Sequence, residues 1–153
     1  MSNTYSQIYL HCVFAVQNRI SLIQPAWEEQ LYKYISGITT QNHHKTLAVN
    51  GAANHVHLFI GYSLEQPIPN LMLDIKRSSS LWINKNKFVA GKFNWQEGYG
   101  VFSYSRSQID NVIKYIMKQK EHHKAETFRA EYIKLLEKFA VEYDPQYILK
   151  DID

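Results

Sequence analysis

Apolar residues along the chain change their spacing from one segment to the next, and each spacing predicts an element. Residues 5–16, YSQIYLHCVFAV, crowd β-branched and aromatic residues into one short run and predict a strand. In PAWEEQLYKYISGITTQ the apolar positions Trp27, Leu31, Tyr34, Ile35 and Ile38 recur at helical spacing, and Pro25 suits the first turn of that helix. Two short strand-like runs follow, TLAVNG and NHVHLFIGY, close enough to pair as a hairpin. A second helix opens after the prolines of EQPIPN, with Ile68, Leu71, Met72, Ile75 and Trp82 on its stripe. FNWQEGYGVFSYS is extended and punctuated by glycine, which predicts a strand with a turn or bulge. Helix three starts at Ser107, where SQID matches a capping box, and buries Ile109, Val112, Ile113 and Ile116. A last helix carries Phe128, Tyr132, Leu135, Leu136 and Phe139 in register.

The order strand, helix, strand, strand, helix, strand, then two helices is that of an α+β chain. It predicts a ferredoxin-like split β-α-β arrangement with an antiparallel sheet and additional C-terminal helices. With 153 residues the chain is expected to form a single domain, 1–153. Such a fold does not specify a function.

Composition narrows the class. Hydrophobic residues make up 45% of the chain, too many for a disordered tail. No stretch reaches the roughly 18 unbroken apolar residues of a membrane span. MSNTYSQIYL lacks the basic start and apolar core of a signal peptide. The one cysteine, Cys12, lies in an apolar run and predicts a buried, inert thiol and a cytoplasmic protein. The net charge of +3 is small, but between Ile75 and Gln96 lie Lys76, Arg77, Lys85, Lys87 and Lys92 with no acidic residue. This is either a footprint for a polyanion or a solvated helix face.

The most informative stretch is NGAANHVHLFIGY. On a strand, alternate residues share a face, so His55, His57 and Phe59 point one way and Val56, Leu58 and Ile60 the other. Two imidazoles on one face can converge on a single cation, or each can simply hydrogen-bond to a neighbour. The acidic residue and further histidine of a zinc hydrolase do not follow, and no second His-x-Ser/Thr motif exists. Any additional ligand must come from elsewhere. Helix three offers Tyr115 and Gln119, four residues apart on the flank of the buried stripe, with Gln108, Asn111 and His122 near the same line. A tyrosine among 11 is by itself most simply a packing residue.

NHVHLFI followed by VIKYIMKQKEHH resembles the small single-tyrosine transposases of the HUH (His-hydrophobic-His) class, the insertion-sequence enzymes and their repeat-associated relatives. The likeness extends over LHCVFAVQNR, LMLDIKRSSSLWIN and FNWQEGYGVFSYS, nearly the whole chain. The resemblance implies the HUH endonuclease fold, with His55 and His57 as the metal pair, Gln119 as the third protein ligand and Tyr115 as the nucleophile. It implies cleavage of single-stranded DNA at hairpin-marked sites with a 5′-phosphotyrosine link. It also implies a homodimer with joined sheets, and a tyrosine helix that completes its own or the partner's site.

A phenol with a pKa near 10 is only about a thousandth ionised at pH 7, so attack on a phosphodiester needs a divalent cation. Mg²⁺ or Mn²⁺ is expected, imidazole favouring Mn²⁺ and cellular abundance Mg²⁺. No phosphate-binding loop exists, so no nucleotide cofactor is expected. Arg19, Lys76, Arg77, Lys114 and Lys118 are candidate phosphate contacts. Trp95, Tyr99, Phe102 and Tyr104 can stack on bases or pack in the core. His11 and His122 are auxiliary candidates. Two other functions share these residues: a non-cleaving hairpin-DNA-binding protein, and a metal-dependent phosphoesterase without a covalent intermediate.

Overall fold

The computed structural model describes residues 4–148. Its sheet consists of β1 (Tyr9–Ala15), β2 (Lys45–Ala52), β3 (His55–Gly61) and β4 (Gly100–Tyr104). The order is β2-β3-β1-β4 and every pairing is antiparallel. Helices α1 (Glu28–Gln41) and α2 (Ile68–Lys85) are the crossovers, and α3 (Ile109–Met117), α4 (Gln119–Ala125) and α5 (Phe128–Lys138) follow the last strand. This is the ferredoxin-like α+β arrangement with C-terminal helices.

The alternation in β1 and β3 divides the molecule into two sides. Leu10, Cys12, Phe14, Val56, Leu58 and Ile60 join Leu31, Ile35, Leu71, Met72 and Ile75 of α1 and α2 in the main core. The opposite face presents Val13, Ala15, Phe59, His11, His55 and His57 to α3, α4 and α5, whose Val112, Ile116, Phe128, Leu135 and Leu136 cover it. Cys12 is fully buried and burial pushes its thiol up to about 12, so it packs as an inert side chain.

Several elements depart from the sequence pattern. The first strand begins at Tyr9, and Tyr5 is exposed. The first helix begins at Glu28, so Pro25 lies in the preceding turn. The capping box at SQID does not form. The chain enters α3 through a tight turn at Arg106–Gln108, and Ser107 Oγ lies 2.9 Å from Ser105 Oγ, without capping the helix. Helix three is also not continuous to Gln119. The Lys118 amide bonds to the Tyr115 carbonyl, three residues back, and Lys118 leaves helical geometry (φ −101°, ψ 20°). That tightened turn redirects the chain, so Gln119 opens a new helix pointing into the molecule.

Candidate metal and nucleophile site

Strand pairing places the histidines before any side-chain contact is considered. His57 of β3 lies opposite Val13 of β1, and His11 lies opposite Phe59, so the three rings His11, His55 and His57 emerge on one sheet face. All three are fully buried. The His11 and His57 rings stack with centroids 4.9 Å apart, and His11 Nε2 lies 2.6 Å from His57 Nδ1. Burial, and at His11 also the adjacent His57, lowers the basicity of His11; burial likewise lowers that of His57, outweighing the nearby Glu131. Both rings are therefore neutral.

The C-terminal helices bring the remaining groups. Gln119 is fully buried, with Oε1 2.9 Å from His55 Nε2 and Nε2 donating to Glu131 Oε2 at 3.0 Å. The Tyr115 hydroxyl donates to the same Glu131 oxygen. The other carboxylate oxygen, Oε1, lies 3.4 Å from His55 Nε2 and 3.3 Å from His57 Nε2. Phe128, one turn before Glu131, stacks on the His55 ring at 4.3 Å. Burial disfavours charge on Glu131, but hydrogen bonds to His55 and His57 prevail and hold its carboxyl well below the usual range. Burial, with Glu131 adding to it, raises the Tyr115 hydroxyl above its ordinary value.

These donors suit a cation. His55 Nδ1 faces Asn54 Oδ1 at 2.7 Å, and its Nε2 faces the oxygens of Gln119 and Glu131. A neutral imidazole has one N–H and cannot donate on both sides. In the tautomer whose Nδ1–H donates to Asn54, Nε2 and the facing oxygens are all lone-pair donors around one point, an arrangement that a divalent ion would satisfy. Among the described residues, His55, His57 and Glu131 form a group whose ligand atoms all lie within 4.8 Å of one another.

Sequence reading assembled His55, His57, Tyr115 and Gln119, and the structure brings these four together. His11 joins them through His57, and the His122 ring lies 4.7 Å from that of Tyr115. Arg77, Lys114 and Lys118 are exposed at the surface. Arg19 is buried, at 4% exposure. Lys76 donates to the carbonyls of Gln96 and Gly98 and sits over the Tyr99 ring, and burial brings its amine down to about 8. Trp95 and Phe102 are core residues, Trp95 donating to Ser79 Oγ, whereas Tyr99 and Tyr104 retain exposure.

Glu131 and Asn54 were not singled out in the sequence, and Phe128 was read there only as a packing position of the last helix. Glu131 lies on the flank of the Phe128–Phe139 apolar stripe, three residues after Phe128 and four before Leu135. Beside Tyr115 a cavity of about 250 Å³ opens between α3 and α5, lined by Tyr104, Gln108, Asn111, Lys134 and Lys138 among others.

The family model for IS200-like transposases matches residues 4–119. A Deinococcus radiodurans R1 protein assigned as a transposase has a similar structure, with 20% identity, a TM-score of 0.61, and coverage of 78% of this chain and 95% of that one. A REP-associated tyrosine transposase bound to a REP hairpin is also similar, with 13% identity, a TM-score of 0.61, and coverage of 100% and 91%. No curated protein sequence matches the chain.

Proposed function

The chain belongs to the IS200-like transposase family, and from that premise we propose that it cuts and rejoins single-stranded DNA at hairpin-marked sites, with Tyr115 as nucleophile. The observation that carries this reading is convergence: the Tyr115 hydroxyl and the donors His55, His57 and Gln119 meet around one buried carboxylate. The REP hairpin bound by a structural neighbour supports DNA of that kind as the partner.

His55, His57 and Gln119 would hold a divalent ion, Mg²⁺ or Mn²⁺, which would supply polarisation of the scissile phosphate and neutralise the charge that builds on it. His55 is fixed for this by Asn54 at Nδ1, and His57 by His11 at Nδ1. The rigid sheet fixes both rings, so the phosphate meets preset geometry. Tyr115 is kept protonated at rest by burial and by Glu131, which limits unproductive attack. In the reaction its oxygen bonds to phosphorus as the bond to the 3′ oxygen breaks. The phenol loses its proton and the 3′ oxygen gains one. The phosphotyrosine conserves the bond for rejoining, so no nucleotide is consumed.

The same reading carries a one-domain enzyme acting as a homodimer joined through its sheets. The outer strands of the described sheet are β2 and β4. No helix among the described residues is long and apolar enough to cross a membrane.

Incubation with labelled single-stranded hairpin DNA and Mn²⁺, followed by a denaturing gel, tests the reading. A covalent protein–DNA band that disappears in Tyr115→Phe is expected. Cleavage without any such band marks a phosphoesterase, and hairpin binding without cleavage marks a binding protein.

A further inference from the structure

We propose that Glu131 is itself a ligand of the cation, through Oε1, while its Oε2 keeps the Tyr115 hydroxyl beside the ion. This rests on the reading of His55 and His57 as the cation's seat. It extends that seat to a residue of α5, beyond the residues matched by the family model.

Distances carry the argument. Neighbouring ligands at metal bonds of about 2.1 Å stand about 3.0 Å apart in an octahedral shell and about 3.4 Å apart in a tetrahedral one. Glu131 Oε1 lies 3.3 Å from His57 Nε2 and 3.4 Å from His55 Nε2, and Gln119 Oε1 lies 2.9 Å from His55 Nε2. All these separations are those of ligands around one ion.

Charge points the same way. Glu131 is 4% exposed, and its carboxylate meets His55, His57, Tyr115 and Gln119. The nearby Lys134 is paired instead with Glu126 at 2.6 Å. A divalent ion would compensate the charge of a carboxylate buried among imidazole, phenol and amide groups. An oxygen ligand added to two imidazoles also broadens the site toward Mg²⁺ and Mn²⁺.

The division of labour between the two oxygens has a consequence for the nucleophile. The phenol oxygen is hydrogen-bonded to one oxygen of a carboxylate whose other oxygen touches the ion. Tyr115 is thus positioned at the cation before DNA arrives.

Mn²⁺ binding to the full chain, read from the loss of the free-Mn²⁺ electron paramagnetic resonance signal at pH 7.5, tests this without DNA. Glu131→Gln is expected to weaken Mn²⁺ at least about tenfold, and His57→Ala to abolish binding. Wild-type affinity in Glu131→Gln together with loss in His57→Ala overturns the role of Glu131 and leaves the histidine seat standing. Wild-type affinity in His57→Ala overturns the seat and this inference with it. If circular dichroism shows Glu131→Gln to be unfolded, Glu131→Asp decides. It keeps the charge and withdraws the carboxylate by one methylene, so weaker Mn²⁺ binding is expected and unchanged binding overturns the proposal.

Discussion

His11 Nε2 lies 2.6 Å from His57 Nδ1, so a single proton is shared between two buried rings. When His57 offers Nε2 to a cation, its Nδ1 carries the proton and donates to His11. His11 thereby sets the tautomer of a ligand it does not itself replace. His11→Ala removes this acceptor and leaves a buried N–H without a partner, at a cost of about 1–3 kcal/mol. Mn²⁺ affinity is expected to fall about 10–100-fold, with partial recovery in His11→Gln, which restores an acceptor. Titration of Mn²⁺ into the three proteins checks it. Equal affinity in all three contradicts the role.

The same rings set the response to acid. Burial holds His11 and His57 below the ordinary histidine value of 6.5, so below that pH the unfolded chain binds protons more readily than the folded one. Their contribution is complete above about pH 7 and is lost as pH falls through 6.5. Glu131, held low by His55 and His57 against its burial, adds a loss of the same sign as pH falls through the carboxylate range. Each group contributes up to about 1.4 kcal/mol per pH unit over its window. Chelator-treated protein is therefore expected to lose about 1–3 kcal/mol between pH 7 and 5, measured by urea unfolding, and His11→Gln to flatten the slope. A slope of opposite sign contradicts the neutral, buried state of the rings.

Gly51 lies where β2 passes the backbone of β3. A Cβ there would stand 2.2 Å from the His55 carbonyl oxygen and 3.0 Å from Val56 Cα. Backbone cannot rotate out of the way as a side chain can, so Gly51→Ala displaces the strand that carries His55. A loss of about 1–3 kcal/mol is expected, together with weaker Mn²⁺ binding, measured by thermal unfolding and metal titration. A protein as stable as wild type contradicts this.

The basic residues fall into two groups with different expected behaviour. Arg77, Lys114 and Lys118 are exposed. As phosphate contacts, each changed to Ala should weaken single-stranded DNA evenly across sequences and reduce the salt slope by about 0.7. Lys76 ties the Gln96 and Gly98 carbonyls to α2, so Lys76→Ala should lower the melting temperature as well. Fluorescence anisotropy at several salt concentrations, with thermal melts alongside, separates the two. Unchanged melting of Lys76→Ala contradicts its structural clamp.

The elements and their order were legible in the sequence because each has its own apolar period. The face carrying His55 and His57 was legible because a strand alternates strictly. The break at Lys118 was not, since neither proline nor glycine marks it and the α3 stripe runs through unchanged. Gln119 nevertheless lies beside His55, because a spacing of four from Tyr115 keeps it on the same side across the turn. Glu131 was missed for a different reason. Its partners are 12 residues or more away along the chain, and that proximity arises only when α5 folds back over the sheet.

Tyr115 as the nucleophile is the claim on which the rest depends, and mass spectrometry of the trapped complex tests it most directly. After reaction with single-stranded hairpin DNA and Mn²⁺, nuclease and trypsin digestion should leave a nucleotide joined by its 5′-phosphate to the Tyr115–Lys118 peptide. The same modification on any other residue contradicts the account.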